Sequence, residues 1–304
     1  MLKFMEIMSS LPDWFRWILY PLHFAGGSNG YLMLLPVVYW CISRKKGEEL
    51  IILLFSAALI GAALKLAVQE LRPYIQYPEI VSNFVEEPSF SFPSSHSIYF
   101  AVIGTWLFIS FKKNWVRITA AALVFIGGLS RVIYGVHFPR DVFAGWLIGI
   151  MTVTGFFWLK EKGITDKIKN PPVFITIVNS ILICGLFTYT MLVSADFEQR
   201  KTVLSFLGTF NGLLWGYAPV WKSMGFTALG NLKQTVLKLL AGLGLLVPLY
   251  VVSGAVFHLI FSEPVPIFGC VIYLLRYMII GFSAAYLLPL LFVKMKILKT
   301  ENSD

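Results

Sequence analysis

Residues 48–73 read EELIILLFSAALIGAALKLAVQELRP. From Leu50 to Leu64 the run is apolar except for Ser56. A helix of about 20 mostly apolar residues crosses a bilayer, so 48–71 is expected to be a transmembrane span. Lys65 lies toward the end of that span, at membrane depth, where a charge is costly and needs a reason. Lys65 and Arg72 are seven residues apart, close to two helical turns, which predicts one shared helix face closed by Pro73.

The rest of the chain has the same character. Of 304 residues, 57% are hydrophobic and only 13% charged, and the mean hydropathy is +0.75. A soluble domain of this size would lack the polar surface to cover itself. Aromatic residues make up 16%, which excludes disorder. The three cysteines, Cys41, Cys184 and Cys270, lie apart in apolar runs and form neither a disulfide framework nor a zinc site. The net charge of +9 is read as loop charge that sets orientation, not as a nucleic-acid surface. Charges at Lys3, Glu6, Asp13 and Arg16 interrupt any signal-peptide core.

The expected fold is all-α, a polytopic transmembrane helix bundle. Nine spans are read at about 27–43, 48–71, 95–111, 115–134, 140–159, 172–193, 202–221, 238–262 and 267–292. Residues 1–24, with Trp14, Phe15 and Trp17 beside Asp13 and Arg16, suit an interfacial helix, or a tenth span. One side receives Arg44–Lys46, Lys112, Lys113, Arg117, Lys160, Lys162, Lys167, Lys169, Lys222, Lys233, Lys238, Lys294, Lys296 and Lys299, and the positive-inside rule makes it cytoplasmic. The polar stretch Lys160–Asn170 separates residues 1–160 from 161–304. There is no internal repeat.

On the other face, topology gathers three more polar groups around Lys65 and Arg72. They are Pro93-Ser94-Ser95-His96, Ser130-Arg131, and His137 with Asp141. Ser94 is expected to cap one helix and Pro139 to occupy the first turn of another. Helix N-termini bind anions, and with three cations they make a site for a phosphate-like oxyanion.

These stretches resemble the three signature motifs of the type 2 phosphatidic acid phosphatase superfamily. That superfamily includes membrane lipid phosphatases, glucose-6-phosphatase and the soluble vanadium haloperoxidases. The resemblance covers about residues 60–145 and implies a metal-independent integral membrane phosphatase without a cofactor. By that resemblance His137 is the nucleophile, Asp141 orients it, and His96 is the acid and then the base. Lys65, Arg72, Arg131, Ser94 and the Ser95 amide hold phosphate, while Ser130 supports Arg131. Ser95 stands where the family commonly has glycine, which narrows the pocket.

The implied substrate is a membrane lipid phosphate or pyrophosphate, on the extracytoplasmic side of a bacterial cytoplasmic membrane. Nucleic acid is not an expected partner, and oligomeric state is not legible. A phosphotransferase, or a phosphate or lipid carrier using the same anion site, is the alternative. Pure binding has no need of a histidine paired with an aspartate, so His137 favours catalysis. A haloperoxidase would be soluble. Glu70 is read as a structural partner of a nearby cation, and His23 as interfacial. His258 and Arg276 are read as polar links between the halves. The long Tyr74–Phe92 loop is expected to be a lid with aromatics at headgroup level. Residues 161–304 carry no catalytic motif.

Overall fold

The computed structural model describes residues 1–164, 171–193, 197–223, 226–228, 230–261 and 265–300. Among the described residues the fold is all-helical except for a two-residue antiparallel pairing, β1 (Phe226–Thr227) with β2 (Lys299–Thr300). The helices are α1 (Leu2–Ser9), α2 (Asp13–Gly26), α3 (Ser28–Val37), α4 (Arg44–Val68), α5 (Pro73–Gln76), α6 (Ser95–Ser110), α7 (Asn114–Ile133) and α8 (Pro139–Glu161). They continue with α9 (Pro171–Val193), α10 (Phe197–Ser223), α11 (Leu232–Ile260), α12 (Ile267–Phe282) and α13 (Leu288–Lys294). Short π-helical turns at Val38–Ile42 and Ser283–Leu287 follow α3 and α12.

Among the described residues, five segments are long and apolar enough to cross a membrane: Arg44–Gln76, Asn114–Ile133, Pro139–Glu161, Leu232–Ile260 and Ile267–Lys294. Ser95–Ser110, Cys184–Val193 and Val203–Gly216 are shorter apolar helices. This is a polytopic membrane bundle; the count of nine is finer than helix length alone supports.

The chain forms two compact units, Met1–Met33 with Ile52–Gly163, and Leu34–Ile51 with Ile164–Asp304. Within the first, α6 packs on both α7 and α8. The α6–α8 approach depends on Gly145, where a Cβ would lie 2.7 Å from the Ser94 carbonyl oxygen and 2.8 Å from the Ser97 Cβ. Small residues let membrane helices close to backbone distance, where packing substitutes for the missing hydrophobic drive. Met5, Val81, Val132, Phe138 and Val142 form a core at the end of α7 and the start of α8.

In the second unit α10 packs along α12, and Trp40, Phe226 and Phe292 share a buried cluster. Lys238, expected among the cytoplasmic loop charges, is instead buried; its Nζ donates to the carbonyls of Trp40 (2.9 Å) and Ala228 (2.6 Å). The lysine thus supplies a hydrogen bond to a carbonyl of the π-turn and to one after β1. Arg276 is a link between helices of this unit, not between the halves. Its guanidinium donates to Ser253 Oγ (2.9 Å) and the Tyr250 carbonyl (2.7 Å), joining α12 to α11. Residues 165–170 of the polar stretch, with Lys167 and Lys169, lie outside the described residues.

Candidate active site

The site lies in the first unit, and the local chain explains each placement. Helix α4 stops three residues after Lys65, because Gln69 adopts φ 51°, the left-handed conformation that closes helices. Pro73 then opens α5, and Arg72 before it is extended at φ −73°, ψ 153°. Lys65 and Arg72 therefore do not share a helix face. Lys65 projects from the end of α4, and Arg72 from the turn beyond it. Both are buried.

Ser94 is the N-cap of α6, as its sequence predicts, and its Oγ accepts from the Ser97 amide (3.4 Å) and hydroxyl (2.9 Å). Its own amide donates to the Asp141 carbonyl (3.1 Å), which fastens the start of α6 to the start of α8. Ser94 is thus engaged in structure on both sides. Ser95 stands at the first helical position and hydrogen-bonds Tyr99. Ser130 Oγ donates to the Gly127 carbonyl (2.7 Å) in its own helix and does not support Arg131.

Pro139 begins α8, and Asp141 is its third residue. The Asp141 carboxylate accepts from the Phe138 amide (2.8 Å), so it caps the helix. The same Oδ2 atom lies 3.5 Å from His137 Nδ1. Beside them stands Ser91, unforeseen from sequence. Its hydroxyl donates to Asp141 Oδ2 (2.6 Å) and is 3.5 Å from His137 Nδ1. On the other edge of the ring, Arg72 Nη1 donates to His137 Nε2 (3.1 Å) and to the Val136 carbonyl (2.9 Å). Guanidinium has no lone pair to offer, so Nε2 must be the acceptor and the neutral ring carries its proton on Nδ1. Burial, then the charges of Arg72, Lys65 and Arg131, lower the His137 pKa well below its ordinary value.

Arg131 is fully buried near the end of α7. It donates to Glu87 Oε1 (2.6 Å) and to His23 Nδ1 (2.9 Å). His23 is therefore a site residue, not an interfacial one. Its ring stacks on His96 with centroids 5.3 Å apart and planes 10° apart, and its carbonyl faces His96 Nε2 at 3.1 Å. An isolated histidine in a Trp-rich helix gives no sequence signal for this; it requires α2 to pack against α6 and α7.

The loop after α5 completes the site. Lys65 Nζ donates to the carbonyls of Phe90 and Ser91, and Arg72 to the Ser89 carbonyl (2.7 Å) and hydroxyl (3.1 Å). Glu87 reaches Arg131, and its second oxygen lies 3.9 Å from Arg72. Burial alone would raise the Glu87 pKa; the charges of Arg131, His96, Arg72 and His23 outweigh that and bring it down to about 2. Two of the loop aromatics pack on the helix ends beneath them. Phe84 stacks on Tyr134 (5.4 Å) and Tyr77 meets Phe138 edge-on (6.3 Å). Gly135 permits this docking: it has φ +70°, and a Cβ there would lie 2.1 Å from the Ser82 carbonyl oxygen. Glu70 pairs with Arg140, the structural role expected of it.

Among the described residues, His23, Glu87 and His96 are grouped closely enough to offer ligands to a metal. Arg131 already donates to two of the three, and a dication would have to displace it and share its positive field.

Residues 49–164 match the PAP2 superfamily, and residues 204–301 match the "PAP2 superfamily phosphatase, transmembrane extension". The chain is similar to Bacitracin transport permease protein BcrC of Bacillus licheniformis, 33% identical over 43% of this chain and 66% of that one. It is equally similar, at 33%, to Phosphatidylglycerophosphatase B of Bacillus subtilis, over 47% of this chain and 72% of the relative. Undecaprenyl-diphosphatase of Sulfolobus acidocaldarius is 33% identical over 35% of this chain and 52% of its own. A buried histidine among buried cations lies in the segment that carries these matches, and this chain belongs to the PAP2 superfamily of membrane lipid phosphatases and carries that family's transmembrane extension.

Proposed function

We propose that this protein hydrolyses a lipid phosphate or pyrophosphate through a phosphohistidine on His137, at the extracytoplasmic face of a bacterial cytoplasmic membrane. The observation that carries the reading is the placement of His137: its unprotonated Nε2 faces Arg72, and its Nδ1 faces the Asp141 carboxylate and the Ser91 hydroxyl. Nε2 attacks phosphorus, and the bond to the leaving alkoxide or phosphate breaks. Lys65, Arg72 and Arg131 offset the charge gathering on the equatorial oxygens, aided by the Ser94 and Ser95 end of α6. Asp141 stabilises the imidazolium as it forms.

His96 protonates the leaving oxygen. Its Nε2 donates to the His23 carbonyl, so in the imidazolium form Nδ1 carries the second proton and is the atom that gives it. The same nitrogen then takes a proton from water, whose oxygen attacks the phosphohistidine, and inorganic phosphate departs. These cations supply the charge stabilisation that a metal would otherwise provide. Residues 1–160 form the catalytic core in this reading, and 161–304 a membrane extension that brings the bundle to nine spans. Phosphatidylglycerophosphate and undecaprenyl pyrophosphate, named in two relatives, head the list of substrates.

The test is phosphate release from a panel of lipid phosphates in detergent with EDTA present, comparing wild type with His137→Ala. Release that disappears in His137→Ala is the expected result. A trapped phosphohistidine without release would assign the protein as a phosphotransferase. A folded protein that binds vanadate yet neither releases phosphate nor becomes phosphorylated would make it a carrier.

A further inference from the structure

The segment Glu87–Ser91 satisfies all three cations of the site at once. Glu87 takes Arg131 and approaches Arg72, Ser89 takes Arg72, and Phe90 and Ser91 take Lys65. None of these five residues belongs to the motifs. The Glu87 side chain is 19% exposed, whereas Glu86 beside it is open to solvent. One carboxylate of the loop has thus been drawn into the cation cluster while its neighbour was not.

We propose that Glu87 is a specificity-determining residue: an internal anion that occupies the phosphate position and sets a minimum charge for whatever displaces it. This rests on the reading of Lys65, Arg72 and Arg131 as the phosphate site. A phosphodiester headgroup carries one negative charge, as Glu87 does, so exchanging one for the other gains no Coulomb energy against the cations. A phosphomonoester dianion or a pyrophosphate brings at least one charge more, and its extra oxygens replace the loop carbonyls on Lys65 and Arg72. At a membrane surface crowded with phosphodiester lipids, an open tricationic pocket would be occupied by headgroups that cannot react. The carboxylate excludes them at the expense of some affinity for the true substrate. A site that is open about one-tenth of the time loses about tenfold in apparent affinity.

The test uses purified full-length protein in mixed micelles, with phosphatidate as substrate and two probes, orthovanadate and phosphatidylglycerol. Wild type, Glu87→Gln and the neighbouring control Glu86→Gln are compared. Glu87→Gln is expected to strengthen vanadate inhibition about tenfold, lower the KM, and make phosphatidylglycerol a competitive inhibitor; Glu86→Gln is expected to behave as wild type. Vanadate inhibition that is unchanged or weakened in Glu87→Gln, or phosphatidylglycerol that stays inert, overturns the inference. A loss of kcat at unchanged KM overturns it too, and would make Glu87 part of the chemistry. Should Glu87→Gln not fold, hydrogen exchange on wild type decides. Vanadate that speeds exchange across 84–91 supports displacement of the loop; protection or no change there overturns it. Vanadate that inhibits neither wild type nor variant overturns the phosphate-site reading and this inference together, whereas equal inhibition of both overturns this inference alone.

Discussion

Ser91 shows how much of this site depends on one hydroxyl outside the motifs. Asp141 and His137 are 3.5 Å apart, too long for a strong hydrogen bond, and Ser91 stands beside both. In the proposed reaction it is a positioning residue. Ser91→Ala is expected to lower kcat roughly tenfold, the scale of one hydrogen bond to a charged group, with little change in KM; Ser91→Thr should restore part of it. A loss confined to thermal stability would show the role to be structural. The titrating groups of the loops add a pH dependence whose sign is fixed. His137 is held well below its ordinary 6.5, so its contribution is complete above that pH and is lost as pH falls beneath it. Glu87 is lowered from 4.5 to about 2, so its contribution is complete above 4.5 and is lost as pH falls toward 2. Melting temperature in detergent should fall on acidification through both ranges, and Glu87→Gln should flatten the lower one.

At the scale of elements, the site is built where helix ends meet. The start of α6 is tied to the start of α8 by the Ser94 amide, and Gly145 lets the two helices close over that bond. Gly145→Val would press against the Ser94 carbonyl. It is expected to destabilise by about 1–3 kcal/mol, as overpacking does, and to reduce activity by shifting the end of α6. Thermal melting and turnover on the same preparation check this. In the second unit, Lys238→Met keeps the bulk but leaves the carbonyls of Trp40 and Ala228 unpaired in an apolar cluster. A loss of about 1–3 kcal/mol per orphaned group is expected, read as a lower melting temperature with the catalytic parameters of the surviving fold unchanged.

At the scale of the whole molecule, the prediction concerns orientation. By the positive-inside rule the cationic loops are expected on the cytoplasmic face, which would leave the Pro73–Pro93 connection outside. In a background without Cys41, Cys184 and Cys270, a cysteine at exposed Ser82 should react with a membrane-impermeant maleimide in intact cells. A cysteine at exposed Lys113 should react only after lysis. The reverse pattern would place the site on the cytoplasmic face and overturn the extracytoplasmic reading.

The sequence by itself determined the helical membrane class, since apolar runs of this length have no other stable form in lipid. It also determined the Ser94 cap, the Pro139 start of α8 and the grouping of Lys65, Arg72, His96, Arg131, His137 and Asp141, because those signals are local or follow from chain topology. Only the tertiary structure decided what fills the space among them. His23 arrives from α2, Ser91 and Glu87 from a loop without periodicity, and Arg72 from a turn set by Gln69 and Pro73 and not from a helix face. Their positions depend on packing between segments distant in sequence, which residue spacing does not encode. Lys238 makes the same point in the second unit: its charge suggested a loop, but it is buried against the carbonyl of Ala228 and that of the distant Trp40.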